Sequence, residues 1–328
     1  MNILKNKLRK GKYLSSPLVG YPVCSLNGST ARKNLTNSET QVDTLLKYYN
    51  ELKPDILFPF MDLAVEAEAI GLKIKIKEND PPEVIEHPIK DQEALNRLPV
   101  PDIQNDGRFN VYVETIRGLR ANTNAALSGY VTSPFTLAGL LTGAERIAAR
   151  TITKPKLVKN LIEYATKISL EYALHQAEAG ADCLVLLDPT ASLLSPELFR
   201  KFVTPSINKI ANSLNIPVIL HVCGDTTPLI DVFIETKMKG FSLDYAVDLK
   251  EIMPEIPKDK VVIGNIDPVR TMLGDTPLQV YKKTLNLINE LKDFDNFIPG
   301  TGCDVPPEAA FENIEAFQRA VNRANHDF

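Results

Sequence analysis

Along this chain, short runs of β-branched and aromatic residues bounded by turn residues alternate with longer segments whose apolar positions recur every three or four residues. The first pattern predicts buried strands and the second amphipathic helices. Eight strand-like runs stand out: YPVCS (21–25), DILFPF (55–60), AALSGYV (125–131), DCLVLLD (182–188), PVILHVC (217–223), GFSLDY (240–245), KVVIGNI (260–266) and NFIPG (296–300). Helix-period segments at 38–53, 154–180 and 276–293 lie between them. Eight strands separated by helices, with nothing left over for a second domain, predict an α/β fold: a single (β/α)8 barrel spanning residues 1–328. The alternation breaks only at 63–124, where IGLKIKIKENDPPEVIEHPIK reads as an inserted hairpin and loop ahead of the third strand.

Composition narrows the partners. The 328 residues carry 37 Lys and Arg against 41 Asp and Glu, a net charge of -4, and 44% are hydrophobic. That fits an ordinary globular protein and argues against a nucleic-acid binder, which needs a basic face to replace phosphate counterions. No run approaches 18 apolar residues, and the start MNILKNKLRKGK lacks the apolar core of a secretory signal, so no membrane partner and a cytoplasmic location are expected. Lys5, Lys7, Arg9, Lys10 and Lys12 read as the solvated face of a first helix rather than an anchor to an anionic surface. Four cysteines in so long a chain do not suggest a disulfide framework.

In barrels of this kind chemistry sits at the C-terminal ends of the strands. The polar residues expected there are Asn27, Asp62, Ser133, Asp188, His221, Cys223, Asp244, Asn265, Asp267 and Cys303. His221 and Cys223 are two apart on a strand, so their side chains share a face, and Cys303 follows the last strand between a glycine and an aspartate. One imidazole and two thiolates suit Zn²⁺ with a fourth position left open. The same three residues also suit a hydrogen-bonded core histidine beside two small buried thiols. Cys24 and Cys183 read as packing residues, and His87, His175 and His326 carry no motif.

Five segments of the chain, YVTSPFTLAGLLTG (130–143), GADCLVLLDPTASLLSPELFRKFVTP (180–205), ILHVCGD (219–225), VIGNIDPVRTML (262–273) and PGTGCDVPPEAAFENIEAF (299–317), are similar to successive signatures of the uroporphyrinogen decarboxylase superfamily. H-x-C-G with the late G-C, together with FMDLAVEAEAIG (60–71), resembles its zinc-dependent branch, the methylcobalamin:coenzyme M methyltransferases of methanogens. The resemblance implies an enzyme of methanogenic one-carbon metabolism that moves a methyl group from a methylated corrinoid, free or carried on a small corrinoid protein, to a small thiol such as coenzyme M. It implies Zn²⁺ on His221, Cys223 and Cys303, with the metal keeping the thiol as its nucleophilic thiolate.

Asp62, Asp188 and Asp244 are then the expected catalytic or supporting carboxylates, and Asn27, Ser133, Asn265 and Gly300 the expected contacts to substrate or corrin. A decarboxylase of this superfamily needs an arginine-rich segment after the first strand to neutralise substrate carboxylates. Here PVCSLNGSTARKN has no arginine before Arg32, although Asp62 matches the decarboxylase's pyrrole-binding aspartate. Two other readings stay open: demethylation of a methoxy or methylthio substrate by a corrinoid protein, and a non-catalytic corrinoid- or tetrapyrrole-binding scaffold with a structural metal.

Overall fold

The computed structural model describes residues 12–326, so Lys5, Lys7, Arg9 and Lys10 lie outside the described residues. Seven parallel strands form one curled sheet in which every connection steps to the next strand: β1 (Ile56–Leu57), β4 (Ala126–Thr132), β5 (Cys183–Leu187), β6 (Val218–Val222), β7 (Gly240–Leu243), β8 (Val261–Ile266) and β9 (Phe297–Thr301). The strands β2 (Ile74–Lys75) and β3 (Glu83–Val84) pair antiparallel on their own, with Ile74 opposite Val84, inside the irregular segment that follows β1.

The first strand is not where the pattern placed it. YPVCS folds as a 3-10 helix over Pro22–Leu26, whose opening proline brings no backbone N–H to a ladder. The barrel wall at that position is formed by residues 14–18 instead. Ser16 makes a parallel bridge to Gly300, its N–H donating to the Pro299 carbonyl at 3.0 Å. On the other side the Ile56 N–H donates to the Ser15 carbonyl at 3.2 Å. This short segment therefore links β9 to β1 and joins the two ends of the sheet. Gly300 is required there, because a Cβ on it would lie 2.7 Å from the Ser16 carbonyl oxygen.

Alternation along the strands sorts the core into two layers. Leu127 and Val131 of β4, with Leu184 and Leu186 of β5, pack outward against helices such as Pro155–Glu178. Leu14, Leu18, Ile56, Phe58, Tyr130, Val185, Leu187, Ile219, Ile263 and Ile298 fill the inside. Ile219, His221 and Cys223 are of one parity, so the candidate ligands rise from the inner wall. No helix of the described residues is long and apolar enough to cross a membrane.

Candidate metal centre

His221 ends the inward row of β6 and is 1% exposed. The β6–β7 register sets it opposite Ser242, and its Nδ1 lies 3.0 Å from the Ser242 hydroxyl. The other nitrogen, Nε2, faces two sulfurs: Cys223 Sγ at 3.4 Å and Cys303 Sγ at 3.7 Å, the sulfurs themselves being 3.6 Å apart. That is too far for a disulfide, whose S–S bond is about 2.0 Å. It is close to the edges of a zinc tetrahedron, about 3.6 Å for N–S and 3.8 Å for S–S when the bonds take their usual lengths.

Cys303 comes from β9, which is not a neighbour of β6. Its turn crosses the end of β7: the Gly302 N–H donates to the Ile266 carbonyl at 2.8 Å, and a Cβ at Gly302 would lie 2.5 Å from the Tyr245 amide nitrogen. Only glycine lets this turn lie so low over the strand end and deliver the thiol beside His221.

The thiols are electrostatically distinct. The hydrogen bond from Cys303 holds the Cys223 thiol below its ordinary pKa, and Cys303, keeping the shared proton and buried, is pushed up. Burial pushes Cys24 and Cys183 up to about 11, in keeping with packing roles for both. Among the described residues, His221, Cys223 and Cys303 are the group of three His, Cys, Asp or Glu side chains placed to hold a metal ion. Two thiolates and an imidazole are a zinc donor set, and their spacing fits one ion.

The other expected site residues are engaged elsewhere. Asp188, at the end of β5, is fully buried; its carboxylate accepts from the Ser133 and Thr136 hydroxyls at 2.7 Å each, and burial pushes it up to about 6. Its backbone N–H donates to the His221 carbonyl at 2.8 Å, so Asp188 and Ser133 brace the histidine's strand rather than presenting free groups. Asp62 is likewise closed off: its side chain has no exposure, and Arg108, the Tyr112 hydroxyl and the Ala64 N–H all donate to it. A carboxylate with each oxygen so engaged also anchors the inserted segment to the wall.

Asp244 accepts from the Ala246 N–H at 3.0 Å, and Asn265 donates to the carbonyls of Asp244 and Val247. Together they fix the turn against which Gly302 packs. Asn27 ties the segment after the 3-10 helix to the helix Ser38–Leu52 through Asp43 and Thr44. Gly300 faces the Ser16 carbonyl. Asp267 accepts from the N–H groups of Val269 and Arg270.

Ser242 was not singled out from sequence, and the available signal was the register that places it opposite His221. Arg108, the buried counter-ion of Asp62 and Glu68, carried no local motif.

Residues 24–324 match the uroporphyrinogen decarboxylase (URO-D) family. The chain is 32% identical over 289 residues to a methylated-thiol–coenzyme M methyltransferase of Methanosarcina mazei, covering 87% of this chain and 77% of that protein. It is 30% identical over 239 residues to a methylcobamide:CoM methyltransferase of Methanosarcina acetivorans, with 70% and 69% covered. A uroporphyrinogen decarboxylase of Desulfotalea psychrophila is 29% identical over 288 residues, with 84% and 83% covered. The solved structure of a methyltransferase from Methanosarcina mazei shares the fold, with a TM-score of 0.88, 23% identity and 98% and 97% of the two chains covered. By the match over residues 24–324, the chain belongs to the uroporphyrinogen decarboxylase (URO-D) family.

Proposed function

We propose that this protein is a zinc-dependent methyltransferase that passes a methyl group from a methylated corrinoid, free or on a small carrier protein, to a small thiol such as coenzyme M. The observation that carries this reading is the triangle of His221 Nε2, Cys223 Sγ and Cys303 Sγ, whose spacing fits one zinc ion and whose count leaves a fourth position for substrate. Bound there, zinc supplies a Lewis acid that holds a thiol as its thiolate near neutral pH.

The chain's own residues do the rest. Cys223 and Cys303, as thiolates, offset the metal's double charge, which keeps a further bound sulfur electron-rich. With Nε2 turned to the sulfurs, the His221 Nδ1–H donates to Ser242 Oγ, and this bond fixes both tautomer and ring orientation. Leu187, Ile263 and Phe58 belong to the buried apolar cluster of the inner wall.

A decarboxylase reading is disfavoured by charge. Arg108 and Lys260 are the buried cations among the described residues: Arg108 pairs with Asp62 and Glu68, and Lys260 donates to the carbonyls of Thr236 and Met238. Arg32 is half exposed and reaches outward to Glu78. None is free to meet a polycarboxylate. A second methyl-transfer reading, demethylation of a methylthio substrate, is supported by the 32% identity to a methylated-thiol–coenzyme M methyltransferase.

The test is a methyl-transfer assay on zinc-loaded protein with methylcobalamin and a panel of thiols, followed through loss of the cobalt–methyl chromophore. Transfer to a thiol that disappears on chelation and in Cys223→Ala is the expected result. Decarboxylation of uroporphyrinogen with no methyl transfer would contradict it. Transfer only from methylthio compounds to cobalt(I) corrinoid would favour the second reading.

A further inference from the structure

Among the described residues, most hydroxyls on the inner wall have partners, and those of Tyr130 and Ser16 do not. Tyr130 is 5% exposed, on the inward row of β4, and its buried hydroxyl makes no hydrogen bond. Ser16, of the same parity as the inward Leu14 and Leu18, is fully buried and its hydroxyl is also unmet. A buried hydroxyl without a partner loses its bonds to water and recovers nothing on folding.

Tyr130 lies one inward step below the metal triangle. It pairs with Val185, which pairs with Ile219, two residues before His221. Its ring is held in place by stacking on Phe58 with centroids 5.4 Å apart, and its carbonyl accepts from Gln176 at 2.6 Å. Burial raises the phenol's pKa well above its ordinary value, so the hydroxyl stays protonated. The result is a rigid, neutral O–H donor beneath the three candidate zinc ligands, in a wall otherwise lined by Leu187, Ile263 and Ile298.

We propose that Tyr130 binds the substrate: its hydroxyl donates a hydrogen bond to an oxygen carried by the small thiol whose sulfur occupies the open zinc position. The thiol then lies with its polar head inside the barrel and its sulfur toward the mouth. This assignment rests on the thiol-acceptor reading above and adds a specificity element, preference for thiols that carry an oxygen acceptor. Arg108 is not free to meet such a head, its charge being already paired with two carboxylates.

The experiment is calorimetric titration of the zinc-loaded full chain with 2-mercaptoethanesulfonate and with ethanethiol, in wild type and Tyr130→Phe, alongside zinc content and thermal unfolding. Tyr130→Phe keeps the ring and its stacking on Phe58 and removes only a group that has no partner. It should therefore retain its zinc and melt no lower than wild type. It should bind 2-mercaptoethanesulfonate roughly tenfold more weakly, the usual scale for one lost hydrogen bond, and ethanethiol equally well.

Unchanged affinity for 2-mercaptoethanesulfonate would overturn the proposal, the hydroxyl then being met by a buried water. Equal weakening for both thiols, or loss of zinc, would overturn it in favour of a purely structural role. In each of these cases the thiol reading survives. If wild type binds neither thiol, that reading fails and this one with it.

Discussion

The Ser242 hydroxyl sits on the His221 nitrogen that faces away from the two sulfurs, and on the zinc reading it fixes which nitrogen would meet the metal. Removing it in Ser242→Ala leaves His221 free to rotate and to change tautomer, so zinc affinity should fall about tenfold to a hundredfold with the three ligands intact. Competition against a chromophoric chelator measures this, and wild-type affinity in the variant would show that Ser242 does not orient the ligand. Glu66 makes a different residue-level claim. It is 1% exposed, accepts from the Thr132 N–H and hydroxyl, and is pushed by burial from 4.5 up to about 7. The unfolded chain gives up this proton near its ordinary pKa while the folded one keeps it, so the group's contribution is complete below about pH 4.5 and is lost as pH rises toward 7. Over that window the loss is on the order of 3 kcal/mol. Glu66→Gln cannot ionise, and its urea unfolding should be flatter with pH between 5 and 7 than that of wild type; parallel curves would contradict this. At this scale the sequence exposed His221, Cys223 and Cys303, because a period of two and a position after the last strand are local facts. It hid Ser242, whose place depends on cross-strand register, and Tyr130, whose proposed role depends on an absent partner.

At the scale of elements, the metal triangle depends on a turn rather than a strand. Cys303 reaches His221 only because Gly302 lets its loop lie against the amide of Tyr245, with Asn265 holding the carbonyls of the facing turn. Gly302→Ala places a methyl group against backbone that cannot swing aside, so the loop must lift. Zinc affinity should drop by at least tenfold, with a stability loss of about 1–3 kcal/mol from overpacking. Chelator competition and thermal unfolding would show both, and a variant that binds zinc as wild type does would contradict the role given to the turn. The expectation for the first strand failed at this same scale. YPVCS carries a β-rich composition yet folds as a 3-10 helix, whereas residues 14–18, which carry no run of strand formers, form the closing wall. Strand position there is set by what β9 and β1 need between them, which no window of a few residues contains. The need for glycine at 300 is set in the same way, by the close approach of Ser16.

For the molecule as a whole, the alternation of strand and helix from β4 to β9 was legible because each βα unit repeats one pattern, and the mouth as the place for chemistry follows from that topology. The ligands lie 80 residues apart in sequence, in Cys223 and Cys303, so a metal held between them bridges the ends of β6 and β9 across the intervening half-barrel. Zinc bound only by the folded state should raise the melting temperature by several degrees at a thousandfold excess over Kd, where the linkage is worth about 4 kcal/mol. A chelator should reverse the shift, and a melting curve indifferent to zinc would place the metal elsewhere. The central claim is that three protein ligands hold zinc and the substrate thiol becomes the fourth. Zinc X-ray absorption on the loaded protein, before and after 2-mercaptoethanesulfonate is added, tests it most directly. The account predicts about two sulfur neighbours at roughly 2.3 Å rising to three. A sulfur count that stays the same while methyl transfer to the thiol proceeds normally would contradict it.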